Sequence, residues 1–234
     1  MAAFTPPLHK MVHTLRAAAW LLRYPDAELR AALPALAAAV HAEAALAPPR
    51  LAELDALIAR LRSLPPLRAE AEYVEIFDRG RQTSLHLFEH VHGDSRDRGP
   101  AMVDLGQTYA RAGLHLAAGE LPDYLPAVLE YASTQPAPQA REFLGEIAHI
   151  VRAIFSALLA RGSGYASVLA AVLDLAGERA EPVVLPAEPP LDETWQEPAA
   201  FDGCRTAGAG RPAQPQPIHI VRPAASAPPR SRAA

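Results

Sequence analysis

The run His86-Leu87-Phe88-Glu89-His90 has the residue types and spacing that could do chemistry most directly. Two imidazoles four residues apart share one face of a helix, with a carboxylate beside them. The order H-x-x-E-H is that of the inverzincin metallopeptidases, where paired histidines ligate zinc and the glutamate acts as general base. Glu142 or Glu146 could add a third ligand, though the spacing singles out neither. The same residues are also what the polar arc of an ordinary amphipathic helix carries. Wound from Gln82 to His92, the segment puts Leu85, Leu87, Phe88 and Val91 on one arc and His86, Glu89 and His90 on the other. A zinc-dependent hydrolase using His86, Glu89 and His90 is therefore one open reading. His92 falls back on the apolar side and reads as the helix end.

Other catalytic arrangements lack their scaffolds. No credible strand precedes a glycine-rich phosphate loop or a nucleophile elbow, and Gly162-Ser163-Gly164 reads as a helix break. The single cysteine, Cys204, excludes an internal disulfide framework and lies away from any partner histidine in sequence.

The histidine run sits inside a longer stretch, Tyr73 to Gly99, that no proline interrupts. Before it, Glu70 to Arg79 forms an amphipathic helix with Tyr73, Ile76 and Phe77 inward and Glu72, Glu75, Asp78 and Arg79 outward. Gly80 is a natural stop, and Thr83 or Ser84 a natural cap. After His92 the run GDSRDRG reads as an exposed loop. Between Glu70 and Glu130 there are 11 acidic and 5 basic side chains, more acidic than the whole chain at −4. A basic partner would be drawn there, whereas the overall charge argues against a general nucleic-acid binder.

The surrounding elements are helices. Val12, Leu15, Trp20 and Leu22 mark a first, His9 to Arg23; Asp26 caps a second to about Ala47, which Pro34 should kink or split. Pro48-Pro49 opens a third that ends at Pro65-Pro66. Beyond the central stretch, Gly99 to Ala112 carries a Met102, Leu105, Tyr109 stripe. Asp123 is placed to cap the next helix, with Pro126 in its first turn. Ala137 to Arg161 has the broadest apolar surface and is expected at the centre of the core; Tyr165 to Leu175 is the last helix. The expected fold is all-α: a single-domain bundle of about nine helices over residues 1–178. Residues 179–234, rich in Pro and Ala, are expected to lack a packed core, with a possible docking element at 191–198 around Trp195. No signal-peptide pattern opens the chain and no apolar run reaches the roughly 18 residues of a membrane span, which points to a cytoplasmic protein without membrane insertion.

FDRGRQTSLHLFEHVHGDSRDRGPAMVDL followed by GLHLAAGELPDYLPAVLEYAS closely resembles the nitrate reductase branch of the TorD/DmsD/NarJ assembly chaperones. The resemblance covers most of residues 8–176 and returns in LDETWQEP. It implies an all-helical chaperone with no catalytic activity and no cofactor of its own. Such a protein holds the apo catalytic (alpha) subunit of respiratory nitrate reductase, near its leader-like N-terminus, for molybdenum cofactor insertion. It is absent from the finished enzyme, and molybdenum cofactor biosynthesis proteins are further possible partners. The family's acidic and aromatic helix corresponds to Tyr73, Phe77 and Asp78. Its Pro-Asp-His motif corresponds to Pro122, Asp123 and Tyr124, a tyrosine standing where the histidine is usual. Resemblance and residue chemistry together give a client-peptide site with an apolar floor of Tyr73, Phe77, Leu121 and Tyr124. Its charged rim is Asp78, Glu89, Asp94 and Asp123. A plain structural adaptor is the remaining alternative.

Overall fold

Residues 11–93 and 95–185 are described by a computed structural model of the chain. Asp94, Cys204 and the 191–198 element lie outside the described residues. The elements are α1 (Val12–Leu21), α2 (Ala27–Glu43), α3 (Pro48–Ser63), α4 (Pro66–Phe77), a 3₁₀ turn (Arg81–Thr83), α5 (Leu87–Val91), α6 (Arg98–Arg111), α7 (Leu125–Thr134), α8 (Ala137–Ala160) and α9 (Ala166–Ala176). Among the described residues there is no strand, only an isolated antiparallel bridge between His86 and Tyr124.

The most enclosed helix is α9, not α8. Val168, Leu169, Ala170, Ala171, Leu173 and Leu175 have no exposure, so α9 is enclosed on nearly all sides, with only Ser167 and Asp174 part-exposed. Its one charged residue, Asp174, accepts a hydrogen bond from Arg50 Nε at 2.8 Å. The longer α8 is long and apolar enough to cross a membrane by length and composition. Here it packs its Leu144, Val151, Ile154 and Leu158 face into the core and leaves Leu159 outside. Helix α1 lies against α2, α7 and α9, contributing Leu15 and Leu21. Each fully buried leucine in this cluster stabilises the fold by about 1.5–3 kcal/mol relative to exposure.

Helix ends follow local chemistry with informative exceptions. Asp26 caps α2, accepting from the Leu29 N–H at 2.8 Å. The helix then continues through Pro34 unsplit and closes on Ala44 in the left-handed region. The start of α1 has no cap of its own, and the end of α2 supplies it. Buried Glu43 accepts from the backbone N–H groups of His13 and Thr14 and from the Thr14 hydroxyl, at 3.1, 2.7 and 2.6 Å. Gly80 does not act as a left-handed stop, since its φ is −127°. It is small because Arg161 packs against it, and a Cβ there would overlap that guanidinium.

Candidate functional site

The amphipathic segment expected over Gln82–His92 is not one helix. After the 3₁₀ turn, Ser84–His86 runs extended, and its backbone pairs with the segment before α7: Leu125 N–H donates to the Leu85 carbonyl at 2.8 Å and Leu87 N–H to the Asp123 carbonyl at 3.0 Å. Helix α5 starts only at Leu87, leaving His86 as its N-cap residue.

Asp123 explains the break. Its side chain does not cap α7, whose N-cap residue is Tyr124. It reaches across to α5 instead, accepting from the Phe88 N–H at 3.1 Å and from His86 Nδ1–H at 3.2 Å. Arg98 Nη2 stands 3.8 Å away. The carboxylate is fully enclosed, at 0% exposure, and so acts from beneath the surface instead of on a client-facing rim. The hydrogen bond to Asp123 raises the His86 pKa above its ordinary value, against the lowering effect of burial.

This geometry separates the H-x-x-E-H residues. His86 turns to Asp123, while His90 Nε2–H donates to the Ser84 carbonyl at 2.9 Å. Glu89 accepts from the Ser84 hydroxyl at 2.6 Å and faces Arg98 at 3.4 Å. The helical i, i+4 spacing that a shared zinc would need does not exist, because His86 precedes the helix. Among the described residues no group of three His, Cys, Asp or Glu side chains is placed to hold a metal.

The extended segment instead forms one wall of a pocket of about 330 Å³. Tyr73, Phe77, Asp78 and Tyr124, all expected at the site, line it. Tyr24, Ser84, Leu85 and His86 complete it. The floor is aromatic and packed: Tyr73 and Phe77 have centroids 4.7 Å apart, and Tyr24 meets Tyr73 edge-on at 5.6 Å. Tyr73 donates its hydroxyl to the Leu22 carbonyl at 2.8 Å, so at 3.4 Å it accepts from Tyr124. Burial raises the Tyr73 pKa strongly, which keeps the phenol neutral. Asp78 is exposed at the mouth. Leu121, at 43% exposure, is in the loop before Tyr124 and is not among the lining residues; neither is Glu89.

Tyr24 was missed because its place depends on the α1–α2 turn, far away in sequence. His86 was read as a helix-face residue. In the fold its ring lies 5.3 Å from that of Tyr124 and on Asp123. The imidazole expected from the Pro-Asp-His motif is thus absent at 124 but present beside it.

The described residues form an all-helical bundle. A crystal structure from Archaeoglobus fulgidus, described as that of a candidate redox enzyme maturation protein, superposes with a TM-score of 0.51 at 18% identity, covering 72% of this chain and 94% of that one. Residues 23–171 match the family model for the nitrate reductase delta subunit, and the chain belongs to that family. It is 46% identical over 156 residues to the nitrate reductase molybdenum cofactor assembly chaperone NarJ of Escherichia coli K12, covering 67% of this chain and 66% of that protein. A Bacillus subtilis protein named "probable nitrate reductase molybdenum cofactor assembly chaperone NarJ" is 32% identical, covering 68% of this chain and 86% of its own length. The chain thus spans about two thirds of the E. coli relative.

Proposed function

We propose that this protein is a cytoplasmic, non-catalytic chaperone for the apo catalytic subunit of a respiratory nitrate reductase, which it holds near the N-terminus until the molybdenum cofactor is inserted. The observation that carries the reading is the pocket: an aromatic floor with one exposed carboxylate at its mouth, on a chain of this family. An apolar side chain of a leader-like helix fills such a floor, and a neighbouring arginine or lysine meets Asp78. Of the expected rim, Asp78 is placed at the pocket mouth as a client contact, and Asp94 lies outside the described residues. Asp123 shapes the wall, and Glu89 is engaged by Ser84 and Arg98.

Titration calorimetry with a synthetic peptide from the N-terminus of the client catalytic subunit tests this. Binding should weaken as salt rises, since the charged contact is exposed. Asp78→Lys, on the surface, should weaken binding about fivefold to tenfold and flatten the salt dependence, consistent with an exposed pair worth up to about 1 kcal/mol plus the new repulsion. Unchanged affinity in Asp78→Lys, or equal capture of apo and cofactor-loaded enzyme in a pull-down, would contradict the proposal.

A further inference from the structure

A second hollow, away from the client pocket, contains a hydroxyl with nothing to bond. It is a cleft of about 840 Å³ between α3, α4 and the turn joining α8 to α9, a size within the range of about 300–1,000 Å³ that small-molecule sites occupy. Tyr165 stands in its wall at 4% exposure, and among the described residues its buried hydroxyl has no hydrogen-bond partner. Buried tyrosines normally place that group on an acceptor, as Tyr73 does on the Leu22 carbonyl and Tyr109 on the Pro122 carbonyl, both at 2.8 Å. The Tyr165 ring is held edge-on to Phe77 at 5.0 Å and to Tyr73 at 6.0 Å between centroids, which fixes where its hydroxyl points.

The charged side chains that act on that hydroxyl are Glu72 of α4 and Arg60 of α3, both in the cleft wall. Burial raises the Tyr165 pKa, so the phenol stays a donor. Glu72 is already engaged, accepting from Arg60 Nη2 at 2.7 Å and from Arg68 Nε at 2.9 Å. Arg60 is half-exposed, and its guanidinium has more donors than that one bond uses. Two donors therefore share one wall and lack an acceptor. Apolar surface adjoins them in the same cleft, from Ile76 and from Leu159, which is 48% exposed. Glu53, Glu72 and Glu75 offset Arg50, Arg60 and Arg161 around the lining. With no net positive charge, the cleft suits a single negative charge and disfavours a dianion such as a phosphate monoester.

We propose that this cleft binds a small monocarboxylate with an apolar body, its carboxylate accepting from the Tyr165 hydroxyl and the Arg60 guanidinium and its body lying along Ile76 and Leu159. The Arg60 side chain turns aside to admit the acid, then pairs with it from the solvent side.

Octanoate is the test ligand, followed by methyl-resolved NMR on the full chain. The Ile76 and Leu159 methyls should shift and saturate with a Kd of about a millimolar, as expected for so few atoms, while those of Leu85, in the client pocket, stay in place. Tyr165→Phe should weaken octanoate about tenfold. It should not lower the urea midpoint of the ligand-free chain, because an unpaired hydroxyl does not hold the fold. Arg60→Gln, which breaks only an exposed ion pair, should also weaken octanoate about tenfold and leave 1-octanol unaffected. Octyl phosphate should bind more weakly than octanoate. Shifts centred on Leu85, equal affinity for octanoate and 1-octanol, tighter binding of octyl phosphate, or unchanged octanoate affinity in Tyr165→Phe or in Arg60→Gln would each overturn the proposal. So would a lowered midpoint for ligand-free Tyr165→Phe, the mark of a hydroxyl already paired within the fold.

Discussion

Replacing Asp123 tests the main structural claim about the pocket, that one enclosed carboxylate joins the segment before α7 to the start of α5. Asp123→Ala removes the acceptor for the Phe88 N–H, a capping bond worth about 1 kcal/mol. It also removes the acceptor for His86, about 1.5–3 kcal/mol for a charged pair and nearer the low end because His86 is one-third exposed. The expected loss is about 2–4 kcal/mol in urea denaturation, with an unchanged slope. Asp123→Asn keeps an oxygen for Phe88 and loses only the charge, so about 1–2 kcal/mol is expected. The dependence on pH has a definite direction. The folded-state pKa of His86 is raised by Asp123, so its contribution is fully present below the unfolded value, near 6.5, and disappears as pH rises through the folded value. The gap between the natural chain and Asp123→Asn should therefore be wide at pH 6 and narrow by pH 9. A loss below about 0.5 kcal/mol for Asp123→Ala, or a gap that widens toward pH 9, would refute the arrangement.

Two further outcomes follow from buried polar groups. Glu43→Ala, which strips three hydrogen bonds from the start of α1, should cost about 2–3 kcal/mol by chemical denaturation and free the Val12–Thr14 region in hydrogen exchange. Tyr73→Phe should cost about 1 kcal/mol through the Leu22 carbonyl it leaves unpaired, read by the same denaturation assay.

Periodicity made most of the helices legible, because an apolar stripe leaves the same mark on a sequence whatever it packs against. Asp26 and the proline pairs at Pro48 and Pro65 were readable for a similar reason, their effects being local. The failures occurred where a distant partner decides. Gln82–His92 has the pattern of a helix, yet pairing with the segment around Tyr124 pulls Ser84–His86 into extended backbone. Asp123 looks like a cap for the helix that follows it in sequence and serves one thirty-five residues earlier, at Phe88. The pocket was legible in part: Tyr73, Phe77, Asp78 and Tyr124 come together, whereas Tyr24 enters only through the turn after α1. The centrality of α9 over α8 was hidden because length attracts attention that circumference deserves.

Tyr73, Phe77 and Tyr165 form one aromatic cluster, Tyr73 tilted on Phe77 and Tyr165 edge-on to Phe77 at 5.0 Å and to Tyr73 at 6.0 Å between centroids. Tyr73 and Phe77 face the pocket, and Tyr165 faces a second hollow of about 840 Å³ between α3, α4 and the turn joining α8 to α9. The two hollows are thus divided by a partition two aromatic rings thick, in an interior too dense to absorb a displacement on one side alone. Whatever presses on Tyr165 presses on Phe77, and any influence of an occupant in one hollow on affinity in the other must be returned in equal measure.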